Sequence, residues 1–299
     1  VATDNHGRHP RQMFGGYCYL QAYLDIATGF CVLYQHNSCS GAVAVQNFQS
    51  FIELAVHQLG RKPLRLRCDQ GSDYTSNDFK QLCADNGIVM ELAAPEAHGQ
   101  NGHVERRWRT LAEPAWASLS TANLPRQLFF LAVECENFYA NGRTNSQGVS
   151  PYSGFCGQRP RSQHEKRPFG CECWATIPSS SSHYKKDGNK AMRCLFMGPD
   201  QLTVDSYLLL RLETGRLISR RAVRFCPDTF PGLPFSDDDE LPSPPPPPPL
   251  RSGPPSEPPP ELVDSSDSED DDDSDSDDDD SKEYWEPPDE DDDMDDPDH

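Results

Sequence analysis

The chain has 299 residues, room for two domains, and its 48 acidic against 27 basic residues give a formal net charge of −21. That charge averages two unlike parts: up to Asp228 there are 25 Lys and Arg against 20 Asp and Glu, and from Thr229 onward 2 against 28. The longest apolar run, Leu128 to Val133, is too short for a membrane span and no signal peptide is seen, so the expected location is nuclear or cytoplasmic. The eleven scattered cysteines, whose closest pair is Cys171-Glu172-Cys173, have no zinc-knuckle spacing and read as reduced thiols.

In chain order, the first residues around Asp4 read as the start of a strand. Tyr17 to Ile26 and Phe30 to Tyr34, joined by Ala27-Thr28-Gly29, predict a hairpin. Apolar residues at 48, 51, 52, 55 and 59 predict a helix over Ala42 to Leu59, stopped by Gly60. The alternation Leu64-Arg65-Leu66-Arg67-Cys68-Asp69 predicts a strand with Leu64, Leu66 and Cys68 on one side and Arg65, Arg67 and Asp69 on the other. Ser76 is placed to cap a short helix closed by Asn86-Gly87, and Ile88 to Leu92 reads as another strand. A loop from Ala93 to Gly102 then enters a helix bearing Glu105, followed by a helix over Gln127 to Tyr139. Short strands broken by Gly198 and Glu213-Thr214-Gly215 fill Leu195 to Phe225. The proline run Pro244 to Pro249 and the Asp/Ser segment Asp264 to Asp280 cannot bury a core, and predict a disordered tail.

Three acidic residues stand in settings that phosphoryl-transfer chemistry needs. Asp69 ends a strand at the turn Gln70-Gly71-Ser72. Glu105, with thirty-five residues between it and Asp69, opens a helix after a glycine-bracketed loop, and Asp4 lies at the head of the chain. Asp25, also in a strand, competes with Asp4 for the first position. Carboxylates so placed can hold two magnesium ions that activate a hydroxyl and steady the leaving oxygen of a phosphodiester. On the helix, Glu105, Trp108, Arg109 and Ala112 are expected to share one face, presenting an acid, a ring and a guanidinium, with Arg106 and Arg107 flanking. His6, His9, His98 and His103 lack a standard zinc spacing and read as non-ligands.

Residues 1 to 226 resemble the integrase segment of copia-type retrotransposon Gag-Pol polyproteins. The resemblance rests on Leu24-Asp25-Ile26-Ala27-Thr28-Gly29-Phe30, Arg67-Cys68-Asp69-Gln70-Gly71-Ser72-Asp73-Tyr74-Thr75-Ser76 and Gly99-Gln100-Asn101-Gly102-His103-Val104-Glu105-Arg106. Asn141-Gly142-Arg143-Thr144, Phe169-Gly170-Cys171 and Cys194-Leu195-Phe196-Met197-Gly198 continue it. It implies an α/β, ribonuclease H-like catalytic core over 1–160 with a mixed five-stranded sheet flanked by helices. A small SH3-like β-barrel over 165–227 and the Pro-rich, acidic tail over 228–299 follow. It also implies a His-His-Cys-Cys zinc module upstream, so the chain is expected to be amino-terminally truncated.

The activity the resemblance implies is DNA integration by a polynucleotidyl transferase. Asp4, Asp69 and Glu105 would be its catalytic and metal-holding acids, with two Mg2+ ions for which Mn2+ can substitute. Gln100, Asn101, Arg106 and Arg109 are the expected contacts to double-stranded DNA. A homo-oligomer is implied, and the acidic tail suits a basic partner. The position of Trp108 is usually polar in such enzymes, so its indole is expected either to stack on a base or sugar or to mark a drifted site. Two alternatives stand beside this reading: a catalytically inactive remnant that binds nucleic acid or chromatin, and a nuclease that only hydrolyses.

Overall fold

The computed structural model describes residues 1–9, 13–93, 101–158, 165–179, 190–201, 203 and 205–233. The expectations for Gln100, for His98 and for the tail from residue 234 onward lie outside the described residues. Among those described, no helix is long and apolar enough to cross a membrane.

The first sheet is built from β1 (Ala2–His6), β2 (Tyr19–Leu24), β3 (Cys31–His36), β4 (Arg65–Cys68) and β5 (Val89–Leu92), in the order β3-β2-β1-β4-β5. Pairing is antiparallel from β3 through β2 to β1, then parallel from β1 to β4 and β4 to β5. The hairpin turns where the sequence predicts, because Asp25 Oδ2 accepts hydrogen bonds from both the backbone N–H and the hydroxyl of Thr28, at 3.1 and 2.6 Å. Asp25 is thereby committed to a turn.

Helix α1 (Gly41–Leu59) crosses one face of this sheet, capped by Ser40 and ended by Gly60 in the left-handed region. Its buried stripe, Ala44, Phe48, Phe51, Ile52 and Ala55, follows the helical spacing. Helix α2 (Asn77–Asp85) starts at the predicted cap, with Ser76 accepting from the Phe79 N–H. On β4, Leu66 and Cys68 are buried as expected, but Leu64 is 79% exposed and lies before the strand. The alternation therefore holds for only two of its three apolar residues.

Helices α3 (Gly102–Thr121) and α4 (Phe129–Gly142) cover the other face, joined by a 3-10 turn at Arg126–Leu128. The short helix α5 (Pro151–Cys156), which the sequence reading did not anticipate, is opened by a capping box between Ser150 and Ser153. The order of three strands, helix, strand, helix, strand, helix is as the sequence predicts. It is the ribonuclease H-like layout.

A second five-stranded sheet follows: β6 (Glu172–Thr176), β7 (Ala191–Pro199), β8 (Tyr207–Arg211), β9 (Leu217–Arg220) and β10 (Val223–Cys226), in the order β10-β6-β7-β8-β9 and antiparallel throughout. It begins earlier than the alternation after Leu195 suggests, because β6 and the first residues of β7 belong to it. This sheet is not a separate bead. Phe129, Phe130 and Leu131 of α4 join Cys171, Leu195, Phe196 and Leu209 in one hydrophobic cluster.

Two glycines of the motif set make that packing possible. Gly170 has φ 78°, and a Cβ there would lie 2.6 Å from side-chain carbons of both Ala122 and Leu124, just beyond α3. Gly198 has φ 126°, and its Cβ would come 3.2 Å from that of Cys135 in α4. Asn141 has an equally structural role. Its side chain accepts from the Cys31 N–H and donates to the Cys31 carbonyl, while Asn137 donates to the same carbonyl. Arg107 donates to both asparagines at 2.8 Å, so it belongs to the interior clamp of α3, α4 and β3.

Candidate active site

Strand register brings the first two acids together. β1 and β4 run parallel with Ala2 opposite Arg67, so two residues further along both strands Asp4 comes beside Asp69. Asp4 lies in the middle of β1, still paired on its other side with Ala22 of β2, and Asp69 directly follows the last residue of β4. Asp69 is exposed and accepts from the Gly71 N–H at 3.0 Å. Gly71 is needed here because a Cβ would collide with the Asp73 carboxylate and reach within 3.0 Å of that of Asp69.

Glu105 arrives from the other side, in the first turn of α3, and is exposed. The start of that helix is tied to the sheet. Asn101 precedes α3, is buried, and donates from its side-chain amide to the Thr3 carbonyl, next to Asp4.

The electrostatics record the convergence. The Asp4 carboxyl is pushed up to about 7, chiefly by burial, then by the negative charge of Asp69, with Glu105 and Asp73 adding to it. The hydrogen bond from the Asn5 N–H to Asp4 Oδ1, 2.9 Å, works in the opposite direction. A half-buried carboxyl among like charges holds its full charge only when a cation compensates, so the donor set suits a hard divalent ion. Among the described residues, however, no three His, Cys, Asp or Glu side chains close into a metal-ligating group.

Behind the acids lies a polar network that sequence reasoning missed. The Tyr74 hydroxyl, buried, receives hydrogen bonds from Gln21 Nε2 at 2.8 Å and Asn5 Nδ2 at 3.2 Å and contacts the Thr3 hydroxyl at 3.3 Å. Asn5 also donates to Asp73 Oδ2 at 2.8 Å and meets His36 Nε2 through its own Oδ1 at 3.1 Å. Asn47 of α1 holds Gln21. These groups cross-link β1, β2, β3, α1 and the turn after Asp69, which fixes the backbone carrying Asp4 and Asp69. The one available signal was polar residues at inward positions of otherwise apolar strands.

Two expectations need correcting. Trp108 does not share an outward face with Glu105 and Arg109: it is 6% exposed, on the buried stripe of Val104, Leu111, Ala115 and Leu119. Its ring lies 5.1 Å from that of His6, which in turn stacks on His9 beside Phe129. It fills the interior and is unavailable to stack on a base or sugar. Asn101 spends its amide inside the protein, so it positions the helix start rather than facing outward. Arg106 and Arg109 are exposed as a DNA contact requires.

Comparison with known proteins agrees with this architecture. Residues 6–98 match the family described as integrase core domain, a span that includes Asp69 and stops short of Asp4 and Glu105. Residues 171–238 match the retroviral polymerase SH3-like domain. The chain is 30% identical over 201 residues to the retrovirus-related Pol polyprotein from transposon TNT 1-94 of Nicotiana tabacum, covering 66% of this chain and 15% of that protein. To the corresponding polyprotein from transposon RE2 of Arabidopsis thaliana it is 28% identical, covering 72% and 14%. The chain thus spans about one seventh of the length of the curated relatives it matches. A solved chain similar to it is the HTLV-2 integrase catalytic core domain in complex with magnesium, at 19% identity and a TM-score of 0.40, covering 52% of this chain and 93% of that one. The chain carries an integrase core domain followed by a retroviral polymerase SH3-like domain, and it is homologous to the Pol polyproteins of plant copia-type transposons.

Proposed function

We propose that this chain is the integrase segment of a copia-type retrotransposon polyprotein, with a catalytic core over residues 1–160 and an SH3-like domain over 165–227. It trims the 3′ ends of the element's DNA and joins them to target DNA. The observation that carries this reading is Asp4 within β1 beside Asp69 just past the parallel strand β4, with Glu105 on a helix whose start is latched to Thr3.

In the first step a water oxygen attacks the phosphorus near the 3′ end. The P–O bond to the 3′ oxygen breaks, leaving a 3′-hydroxyl on the element. In the second, that 3′ oxygen attacks a target phosphodiester and displaces the target's own 3′ oxygen. Asp4, Asp69 and Glu105 would hold two magnesium or manganese ions, which when bound supply activation of the attacking oxygen and neutralisation of the leaving one. Asn5 and Asp73 hold the strand ends in register, and the apolar wall of Trp108 and Phe129 backs the first strand. The exposed guanidiniums of Arg106 and Arg109 pair with DNA phosphates beside the acid, and Gln100 adds a polar contact. Joining two DNA ends in concert calls for a homo-oligomer, and the tail over 228–299, rich in carboxylates, suits a basic partner.

The test is cleavage and strand joining on a labelled branched oligonucleotide with magnesium or manganese, using the full chain. Asp4→Asn, Asp69→Asn and Glu105→Gln should each lower product formation by about 10²-fold or more. Products that are cut and never joined would assign a simple nuclease. A folded, DNA-binding chain without either product would assign a non-catalytic remnant.

A further inference from the structure

The second sheet has an outward face that this chemistry leaves unused. On β6, the exposed Trp174 and Thr176 alternate with the buried Cys173 and Ala175, Glu172 on their side is itself buried, and Trp174 keeps 40% of its surface exposed. Strand register puts Arg224 of β10 directly opposite Trp174 on one side and Arg193 of β7 opposite it on the other. Directly paired residues point to the same side of a sheet, so an indole stands between two guanidiniums in a row across three strands.

The two arginines differ in what they hold. Arg193 grips both oxygens of Glu172 at 2.8 Å. The Trp174 ring beside this pair is partly open to solvent. Among the described residues no ring or cation stacks on it, and Arg224, which is exposed, has no carboxylate partner. A cleft of about 790 Å3 opens here, with Trp174, Thr176, Val223, Arg224 and Cys226 in its wall.

We propose that Trp174 and Arg224 form a binding site for an unpaired nucleotide, the base stacked on the indole and its phosphate held by Arg224. The class of ligand is single-stranded DNA. A free aromatic face accepts a base only when that base is out of its own duplex stack, and a lone cation beside it matches the backbone charge. Resting on the function proposed above, the natural source is the complementary strand left unpaired when the 3′ end of the element is trimmed.

Binding decides this without any chemistry, so its failure and a failure of strand joining are separable. The full chain is titrated into a labelled oligothymidylate and into a blunt duplex of the same length, with no divalent metal present. Trp174→Ala should weaken oligothymidylate binding about tenfold or more and leave the duplex unchanged, while Trp174→Phe, which keeps a ring, should retain most of the affinity. Arg224→Gln should reduce the salt slope on the single strand by about 0.7, the share of one phosphate. Equal losses on both probes, or no loss on the single strand, would overturn the proposal. So would displacement by an acidic peptide at lower concentration than by oligothymidylate. Should Trp174→Ala fail to fold, Arg224→Gln decides: an unchanged salt slope overturns the site.

Discussion

The two faces of the first sheet are finished in different ways. On one, α1, α2 and α5 close a cluster of Tyr23, Phe48, Phe51, Leu66, Phe79 and Phe155 that stays within the integrase core. On the other, α3 and α4 pack on the sheet and on each other, and α4 also packs on β7 of the second sheet, so that one cluster runs from Ala2 to Leu233. Asp4 and Asp69 are carried by the sheet itself, but Glu105 rides on α3 and so belongs to the face shared with the second sheet. The lesson is that the helix bearing Glu105 leans on α4, which in turn leans on the second sheet. The second sheet meets α3 only past its far end, where Gly170 lies against Ala122 and Leu124, and otherwise reaches it through α4.

The largest test of this difference is a pair of core truncations. Phe48→Ala and Phe129→Ala each remove a buried ring, at 0% and 1% exposure, and should each cost about 3–5 kcal/mol. Their reach should differ. In hydrogen exchange, Phe129→Ala should raise exchange in α3 and in β6 to β8 together, while Phe48→Ala should raise it in α1, α2 and β4 alone. Equal spread in the two variants would break the comparison.

A smaller effect is expected from two glycines that share a left-handed backbone. Gly60→Ala, with nothing near its Cβ, should cost only the backbone term of about 1 kcal/mol. Gly170→Ala adds the collision with Ala122 and Leu124 and should cost about 2–4 kcal/mol in urea unfolding. It should also lower strand joining by displacing the end of α3. Matching costs at the two positions would mean that the second sheet contributes nothing to that helix.

These contrasts show what could be read in the chain beforehand. The hairpin, α1, the Ser76 cap and the strand ending at Asp69 come from local periodicity and turn chemistry, which a sequence displays directly. The side on which Trp108 lies does not. Glu105, Trp108 and Arg109 are close enough on a helix to share a face, and only the presence of His6 and Phe129 beneath decides that the indole turns inward. Likewise Asn141, Gly170 and Gly198 read as motif letters, because their reasons lie in Cys31, Ala122 and Cys135, far away in sequence. The same holds for the network around Tyr74, whose partners come from three strands and a helix.

The smallest predicted effect concerns pH and the shared face alone. Burial raises the Glu134 carboxyl in α4 above its ordinary value, against the hydrogen bond it accepts from Gln35 at 2.6 Å. A group raised on folding lends stability that is complete below the ordinary glutamate value and is lost as pH rises through the folded one. Thermal stability should therefore fall over that window, and Glu134→Gln should flatten the fall. An identical pH profile for both proteins would remove Glu134 from the account.

The hydrogen bond from Asn101 to the Thr3 carbonyl has a consequence for how such chains can vary. It measures the distance from Glu105 to Asp4 across space, from strand to helix start, and takes no count of the residues that lead up to it. The thirty-five residues between Asp69 and Glu105 are then a tolerance rather than a ruler. Insertions or deletions ahead of Asn101 can accumulate without shifting the third acid, provided that the asparagine and the first strand stay in place.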